Sequence, residues 1–165
     1  MTVIGIDPGI EKTGVGIVKK NDRSSTLIFS ELIKTDSKLP TAERLSIIFE
    51  TLNKIINLFE IDYGSVEKLF FAKNTKTAMV VSEARGVILL SLQQKKIPIF
   101  EYTPLQVKQA LTGYGSGTKE QVQNLVKIIL NLKDLPKQDD VADGIALAIT
   151  HIHTQKKIQN YNNRN

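Results

Sequence analysis

The stretch VIGIDPG, residues 3–9, is an apolar run that ends in an aspartate followed by turn residues. The run predicts a buried strand over residues 2–7, and Asp-Pro-Gly is typical turn chemistry. A carboxylate at the end of a buried strand is costly unless a positive group compensates its charge. Asp7 is therefore either a simple turn residue or part of a site that holds cations.

Outward from this strand, hydrophobic periodicity predicts further strands and helices. Two strands with short polar connections follow the first, which indicates an antiparallel meander. The predicted strands cover residues 13–20, 26–34, 61–70 and 97–102, and Tyr63-Gly64 suggests a bulge or bend. The predicted helices cover residues 41–59, 75–94, 104–113, 118–130 and 140–153.

Two helix starts carry capping residues. Thr103 precedes Pro104, which suits an N-cap with proline at the first helical position, and Gly113 predicts the end of that helix. Thr118 with Gln121 forms the pattern of a capping box for the next helix.

The order of elements limits the fold. A helix between the third and fourth strands, and another between the fourth and fifth, requires parallel crossovers in a mixed sheet. The order is compatible with a ribonuclease-H-like fold, an α/β fold whose five-stranded mixed sheet is flanked by helices. Other α/β arrangements stay open on periodicity alone. We expect a single domain over residues 1–154 and a polar, disordered tail over residues 155–165.

Composition excludes several classes of protein. The chain has 165 residues, 41% apolar and 24% charged, as expected for one globular domain. It has no cysteine, which excludes disulfides and thiolate metal sites, so a metal ion would be held by oxygen or imidazole. No apolar stretch reaches the ~18 residues of a membrane span and no leader opens the chain, so we expect a cytoplasmic protein. The net charge of +5 is a modest indication of a polyanionic partner.

Three further acids occupy contexts that favour convergence on Asp7. Glu67 lies near a predicted strand end, and Asp140 and Asp143 begin the last helix at a spacing that puts both on one side. Each also has an ordinary role, as a rim carboxylate paired with Lys68 or as a helix N-terminal acid. Two carboxylates ~4 Å apart repel by roughly 4 kcal/mol at an effective dielectric of ~20, so a cluster of them needs cations. Oxygen ligands suit Mg²⁺ or Mn²⁺, and two such ions can assist hydrolysis of a phosphodiester.

Several motifs occur together along nearly the whole chain. They are IGIDPG (4–9), EKLFFAKN (67–74), EARG (83–86), FEY (100–102) with QVKQ (106–109), and DVAD (140–143) with ALAITH (146–151). In these motifs and in their order the chain resembles the RuvC family of bacterial Holliday-junction resolvases. The resemblance implies a ribonuclease-H-like domain, a homodimer, and Mg²⁺-dependent nicking of two opposed strands of four-way junction DNA. It also implies a bacterial cytoplasmic setting, with the RuvA–RuvB branch-migration complex as a partner to consider.

The resemblance also assigns roles by position. It implies that Asp7, Glu67, Asp140 and Asp143 are the catalytic acids and hold the metal, with two Mg²⁺ per subunit. Asp139 is more typical of a helix cap or a solvated acid.

A second set of residues is expected to contact DNA. Lys108 and Lys119 resemble lysines that the family places near the active site, and Phe70 resembles an aromatic that stacks on an unpaired base. Lys73 and Lys76 extend the basic set, which suits contacts along a phosphate backbone, although any single lysine is ordinarily a solvated surface residue.

Some alternatives stay open. Asp-x-Gly after a strand also begins the phosphate loop of ATP-binding domains of the actin and sugar-kinase type, which need two such domains where this chain supplies one. A non-catalytic junction-binding module is a second alternative. The helix over residues 75–94 is apolar on more than one side, which suits either contact with a symmetry mate or deep burial in one subunit. His151 and His153 do not share a helix face, so we expect structural or surface roles for them.

Overall fold

The protein is described by a computed structural model that covers residues 1–69 and 75–162, with the backbone alone described for residues 75–77 and 156–162. Its elements follow the predicted order. They are β1 (Thr2–Asp7), β2 (Lys12–Lys20), β3 (Ser25–Lys34), α1 (Thr41–Asn57), β4 (Tyr63–Glu67), α2 (Thr75–Gln94), β5 (Ile99–Tyr102), α3 (Pro104–Thr112), α4 (Lys119–Leu130) and α5 (Asp139–Asn162).

The five strands form one mixed sheet in the order β3-β2-β1-β4-β5. β1 to β3 pair antiparallel as the predicted meander, and β4 pairs parallel with both β1 and β5. β1 is therefore the central strand, and its residues from Thr2 to Ile6 are buried. This order places β1 directly beside β4.

Helices cover both faces of the sheet. Because side chains alternate along a strand, Ile4 and Ile6 of β1 belong to the core under α1 and α2, whereas Val3 belongs to the core under α3, α4 and α5. In α5 the run from Ile145 to Ile149 is buried on all sides. The central strand and α5 thus form the most deeply buried part of the structure.

Glycines allow α5 to lie directly on the sheet. A Cβ atom at Gly5 would overlap the carbonyl oxygen of Gly144, and one at Gly14 would overlap the carbonyl oxygen of Asp140. The backbones of α5, β1 and β2 therefore approach more closely than side chains would permit. This approach fixes where the first turn of α5 stands above the sheet.

The predicted helix caps are confirmed. Thr103 and Gln106 form a capping box at the start of α3, and Gly113 ends that helix with φ +82°. Thr118 and Gln121 form the same motif at the start of α4. The short loop between these helices places Lys119 at the first position of α4.

The boundaries of β4 differ most clearly from the prediction. The strand begins at Tyr63 and ends at Glu67, so Ile61, Asp62, Lys68 and Leu69 are not part of it, and Phe70 lies outside the described residues. The predicted bulge at Tyr63-Gly64 is wrong, because both residues pair in register with β1. Gly64 instead leaves room for Leu92 of α2, whose Cδ1 would lie 2.9 Å from a Cβ at this position.

α5 is longer than predicted. It continues to Asn162 instead of ending near His153, because residues 155–162 contain neither glycine nor proline and simply extend an established helix. Polarity alone was therefore a poor signal for the end of this helix. The division into a domain of residues 1–154 and a tail of 155–165 stays a prediction.

In residues 1–69 and 75–162 there is no helix with the length and apolar character that crossing a membrane requires.

Candidate active site

Two acids meet where parallel strands end. Ile6 pairs with Val66 in the register of β1 and β4, so Asp7 and Glu67 are the next residues along neighbouring strands. The Asp7 carboxyl lies within hydrogen-bonding reach of the Glu67 carboxyl. The strand order, rather than proximity in sequence, creates this pair.

The first turn of α5 brings two more acids to the same place. The close packing of α5 on Gly14 fixes the backbone of Asp140, and Asp143 follows one turn later on the same side of the helix. Both carboxylates act electrostatically on Asp7. All four acids singled out in the sequence therefore converge at one edge of the sheet.

This concentration of acids changes their protonation. Burial raises the pKa of Asp7 to about 8, and the neighbouring Glu67, Asp143 and Asp140 add to the shift. Burial also raises the pKa of Glu67 and that of Asp143. Near neutral pH and without a bound cation, the cluster therefore keeps a proton between Asp7 and Glu67.

Lys119 is a positively charged side chain that pairs with acids at the start of α5. Its Nζ is 3.2 Å from Asp143 Oδ2 and 3.2 Å from Asp139 Oδ2. Burial alone would lower the pKa of Lys119, but the two aspartates raise it, so the ammonium stays charged. Asp139 is exposed, begins α5 and has its pKa lowered by Lys119, in agreement with the expected solvated acid.

The donor set fits a hard divalent cation. It consists of carboxylate oxygens, the ligands that Mg²⁺ prefers, and burial together with the neighbouring acids raises the pKa of Asp7. In the part of the chain that is described, no three acids or histidines stand close enough to hold one ion as their side chains are oriented. Binding of one ion by three of these carboxylates would therefore require their side chains to rotate.

A cavity of about 250 Å³ opens beside the acids. Glu67, Asp143, Lys108 and Lys119 line its polar side, so two of the predicted lysines stand with the acids. Its remaining wall is apolar and is formed by Pro104, Val107 and Val122.

The structure does not describe the side chains of the other three predicted DNA-binding residues. Phe70 and Lys73 lie outside the described residues. Lys76 belongs to the first turn of α2, where only the backbone is described.

Some residues that shape the site had no role in the sequence analysis. Gly5, Gly14 and Gly16 occupy strand interiors, where glycine often indicates close backbone approach, and that signal was available in the sequence. Arg85 of α2 donates from Nε to the carbonyl oxygen of Glu67 at 3.4 Å. No local pattern in the sequence indicates this contact.

His151 is a structural residue, as expected. It is fully buried, and its Nδ1 lies 2.8 Å from the hydroxyl of Tyr102. Its ring packs against Tyr63 and Phe100. His153 is bonded to the carbonyl oxygen of Ala110 at 3.3 Å.

Comparison with known proteins gives a consistent result. The family model "Crossover junction endodeoxyribonuclease RuvC" matches residues 3–151. The RuvC protein of Alkaliphilus metalliredigens is 49% identical over 154 residues, which cover 93% of this chain and 94% of the relative. That of Brevibacillus brevis is 47% identical over 151 residues, covering 92% and 91%.

Solved structures agree with the sequence relatives. The structure of Thermus thermophilus RuvC in complex with Holliday junction substrate has a TM-score of 0.88 and 33% identity, covering 95% of this chain and 96% of the other. The yeast mitochondrial Holliday junction resolvase Ydc2 has a TM-score of 0.73 at 13% identity, which shows a shared fold alone. The expected ribonuclease-H-like fold is confirmed, and this chain belongs to the RuvC family of crossover junction endodeoxyribonucleases.

Proposed function

We propose that this protein resolves four-way (Holliday) DNA junctions by paired, symmetric, Mg²⁺-dependent nicking during recombination and repair, leaving 5′-phosphate ends. Convergence of acids from β1, β4 and α5 beside two lysines is the observation that carries the proposal. Membership of the RuvC family supports the same activity and argues against the ATP-binding alternative.

The four acids have the role of holding the metal. Asp7, Glu67 and Asp143, assisted by Asp140, would hold two Mg²⁺, for which Mn²⁺ is a plausible substitute. When bound, the ions supply activation of a water molecule and stabilisation of the leaving oxygen. Asp7 would have to release its proton before all four acids could act as ligands.

The lysines have the role of meeting phosphates. Lys108 and Lys119 line the cavity next to the acids, where the charge of a DNA backbone would be attracted. Lys73 and Lys76 are proposed to extend this contact, and Phe70 to stack on an unpaired base. The junction-bound relative from Thermus thermophilus supports four-way DNA as the substrate.

Paired nicking requires two active sites, for which a homodimer is the simplest source. Two apolar side chains of α2, Met79 and Leu90, are 65% and 52% exposed. They are eleven residues apart, about three helical turns, and therefore share a face. This apolar face supports α2 as the dimer contact, with a twofold axis that matches the symmetry of a junction. The bacterial cytoplasm and the RuvA–RuvB complex are the setting and partner that the family implies.

A labelled four-way junction tests the proposal. Incubation with Mg²⁺ should give nicks at symmetric positions in two opposed strands, and a DNA ligase should reseal them because the ends carry 5′-phosphates. Incubation with a chelator should leave the junction bound but intact. Binding without nicking at any Mg²⁺ or Mn²⁺ concentration would favour the non-catalytic binding module instead.

A further inference from the structure

Arg85 links the end of β4 to two other elements. It lies on α2, donates from Nε to the carbonyl oxygen of Glu67 at 3.4 Å, and forms an ion pair through Nη2 with Oε1 of Glu101 on β5. Its side chain is only 21% exposed. One guanidinium thus connects α2, the last residue of β4 and the neighbouring strand.

The hydrogen bond from Arg85 reaches the backbone of Glu67 at the end of β4. Glu67 is the last residue of β4, and only one further backbone bond, from Lys68 N–H to the carbonyl oxygen of Tyr102 at 2.9 Å, ties the chain after it to β5 in the part that is described. Its carboxyl lies within hydrogen-bonding reach of Asp7 and lines the cavity together with Asp143. The hydrogen bond from Arg85 to the carbonyl oxygen of Glu67 restrains the backbone from which this carboxyl projects.

The positive charge of Arg85 is compensated by an acid of the protein itself. Glu101 compensates the guanidinium, and the pair joins planar, multi-donor Arg to a carboxylate, a geometry that favours fixed orientation. Arg85 is also not among the residues that line the cavity beside the acids, whereas Lys108 and Lys119 are. Arg85 is therefore suited to hold protein backbone rather than to bind phosphate.

We propose that Arg85, oriented by Glu101, is a positioning residue that holds Glu67 in the geometry required for divalent-cation binding and cleavage. The proposal rests on the proposed metal-dependent function. It assigns Arg85 no contact with DNA, water or the reacting phosphate. Loss of such supporting contacts typically costs about 10–100-fold in metal affinity or activity.

The test titrates Mn²⁺ alone into the full-length protein and follows the free ion by electron paramagnetic resonance. Arg85→Met should weaken Mn²⁺ binding by about 10–100-fold and lower single-turnover junction cleavage to a similar extent. Junction binding with the metal chelated should change less than about twofold, because Arg85 does not meet DNA. Arg85→Lys should recover only part of the loss, since one ammonium cannot reproduce two fixed donors.

Variants of Glu101 test whether this residue acts through Arg85. Glu101→Gln keeps a neutral acceptor and should have a smaller effect than Arg85→Met. The double variant Arg85→Met/Glu101→Gln should be no worse than Arg85→Met, because Glu101 acts through Arg85. Additive losses in the double variant would contradict that order.

Two control variants separate positioning from general effects. Ile88→Val removes one methyl group from the fully buried core face of the same helix, and should lower thermal stability without changing Mn²⁺ affinity. Arg23→Met removes an exposed arginine from the turn between β2 and β3 and controls for loss of one positive charge.

The outcomes distinguish this proposal from the one it rests on. Arg85→Met with wild-type Mn²⁺ affinity and cleavage, whatever its melting temperature, would overturn the positioning role. Asp7→Asn, titrated in parallel, should weaken Mn²⁺ binding. If Asp7→Asn has no effect, the metal site itself is wrong; if it weakens binding while Arg85→Met does not, only the role of Arg85 fails.

Discussion

At the scale of single residues, the site is defined by an imbalance of charge. Asp7 is buried next to Glu67, and Asp143 and Asp140 act on it, which raises its pKa to about 8. Lys119 offsets part of this charge through Asp143, yet it is also paired with Asp139. The residues that suit cation binding are therefore a cost to folding when no cation is bound.

The first prediction concerns the free energy of unfolding that burial of the Asp7 carboxyl costs the metal-free protein. The pKa of Asp7 is higher in the folded protein than the 3.8 of an unperturbed aspartate, so the folded state keeps a proton that the unfolded state releases. Its contribution to stability is complete below about pH 4 and is lost as pH rises towards 8. Asp7→Asn removes this loss, and should raise the free energy of unfolding of the metal-free protein near pH 7 by on the order of 2 kcal/mol.

Urea unfolding in the presence of a chelator measures this effect. The advantage of Asp7→Asn over wild type should grow with pH between about 4 and 8. Asp22→Asn, in an exposed turn, is the matched control and should show no such trend. A destabilised Asp7→Asn protein at neutral pH would contradict the account of the cluster.

At the scale of elements, α5 determines whether the site forms. Its first turn is placed by close approach to Gly14, and its later turns are anchored where His151 meets Tyr102 of β5. Both anchors help to hold α5 on the sheet, with its acids near Asp7.

Gly14→Ala tests the first anchor. The added Cβ would overlap backbone atoms of Asp140 and Val141, which cannot rotate away, so α5 must shift. We expect a loss of about 1–3 kcal/mol in the free energy of unfolding, together with about 100-fold slower cleavage, since a displacement of about 1 Å suffices for such a loss. Thermal unfolding and single-turnover cleavage measure the two effects.

Gly86→Ala is the matched control for this substitution. Gly86 lies within α2, and a Cβ there meets no atom within 4 Å in the part of the chain that is described. Alanine should keep or slightly raise stability, by up to about 1 kcal/mol. Because Gly86 shares a helix face with Met79 and Leu90, the variant is used as a control only after light scattering shows that its oligomeric state equals that of wild type. Equal behaviour of the two variants would mean that the approach of α5 to β2 does not control the site.

The second anchor predicts sensitivity to acid. His151 is fully buried, its Nε2 has no hydrogen-bond partner among the described residues, and burial lowers the pKa of His151 to about 4. The unfolded state therefore takes up a proton between about pH 6.5 and 4 that the folded state does not, and stability falls as pH falls through this window. Across the full window the loss amounts to up to about 3 kcal/mol.

His151→Gln removes the titrating group and is the variant that checks this prediction. It should be less stable than wild type at pH 7, because the bond to Tyr102 is weakened, but should lose less stability between pH 6.5 and 4. Unfolding by urea at several pH values gives both quantities. Parallel pH profiles for the two proteins would exclude His151 as the group responsible.

At the scale of the whole molecule, sequence patterns were sufficient for the order of elements, and the sequence also indicated that four acids could lie close together, as they do. Strand periodicity and capping residues are local, so the meander, α3 and α4 followed from the sequence directly. The pairing of β1 with β4 is a tertiary contact, so local patterns do not predict it.

What the sequence did not predict depends on contacts between distant elements. The link from Arg85 to Glu67 and Glu101 joins three elements and has no local signature. Lys119 was placed near the active site by resemblance, but its pairing with Asp139 and Asp143 requires the loop before α4 to face the start of α5. The end of α5 was misjudged because a polar surface and helical structure are compatible.

The central claim is that acids from β1, β4 and α5 form one cation-dependent hydrolytic site, while positive side chains carry DNA affinity. The most direct measurement compares wild type and Asp7→Asn on one labelled four-way junction, recording binding in chelator and single-turnover cleavage in Mg²⁺. The account predicts that Asp7→Asn binds the junction as tightly as wild type, or more tightly, and produces no nicks. Lost junction binding with retained cleavage would contradict it.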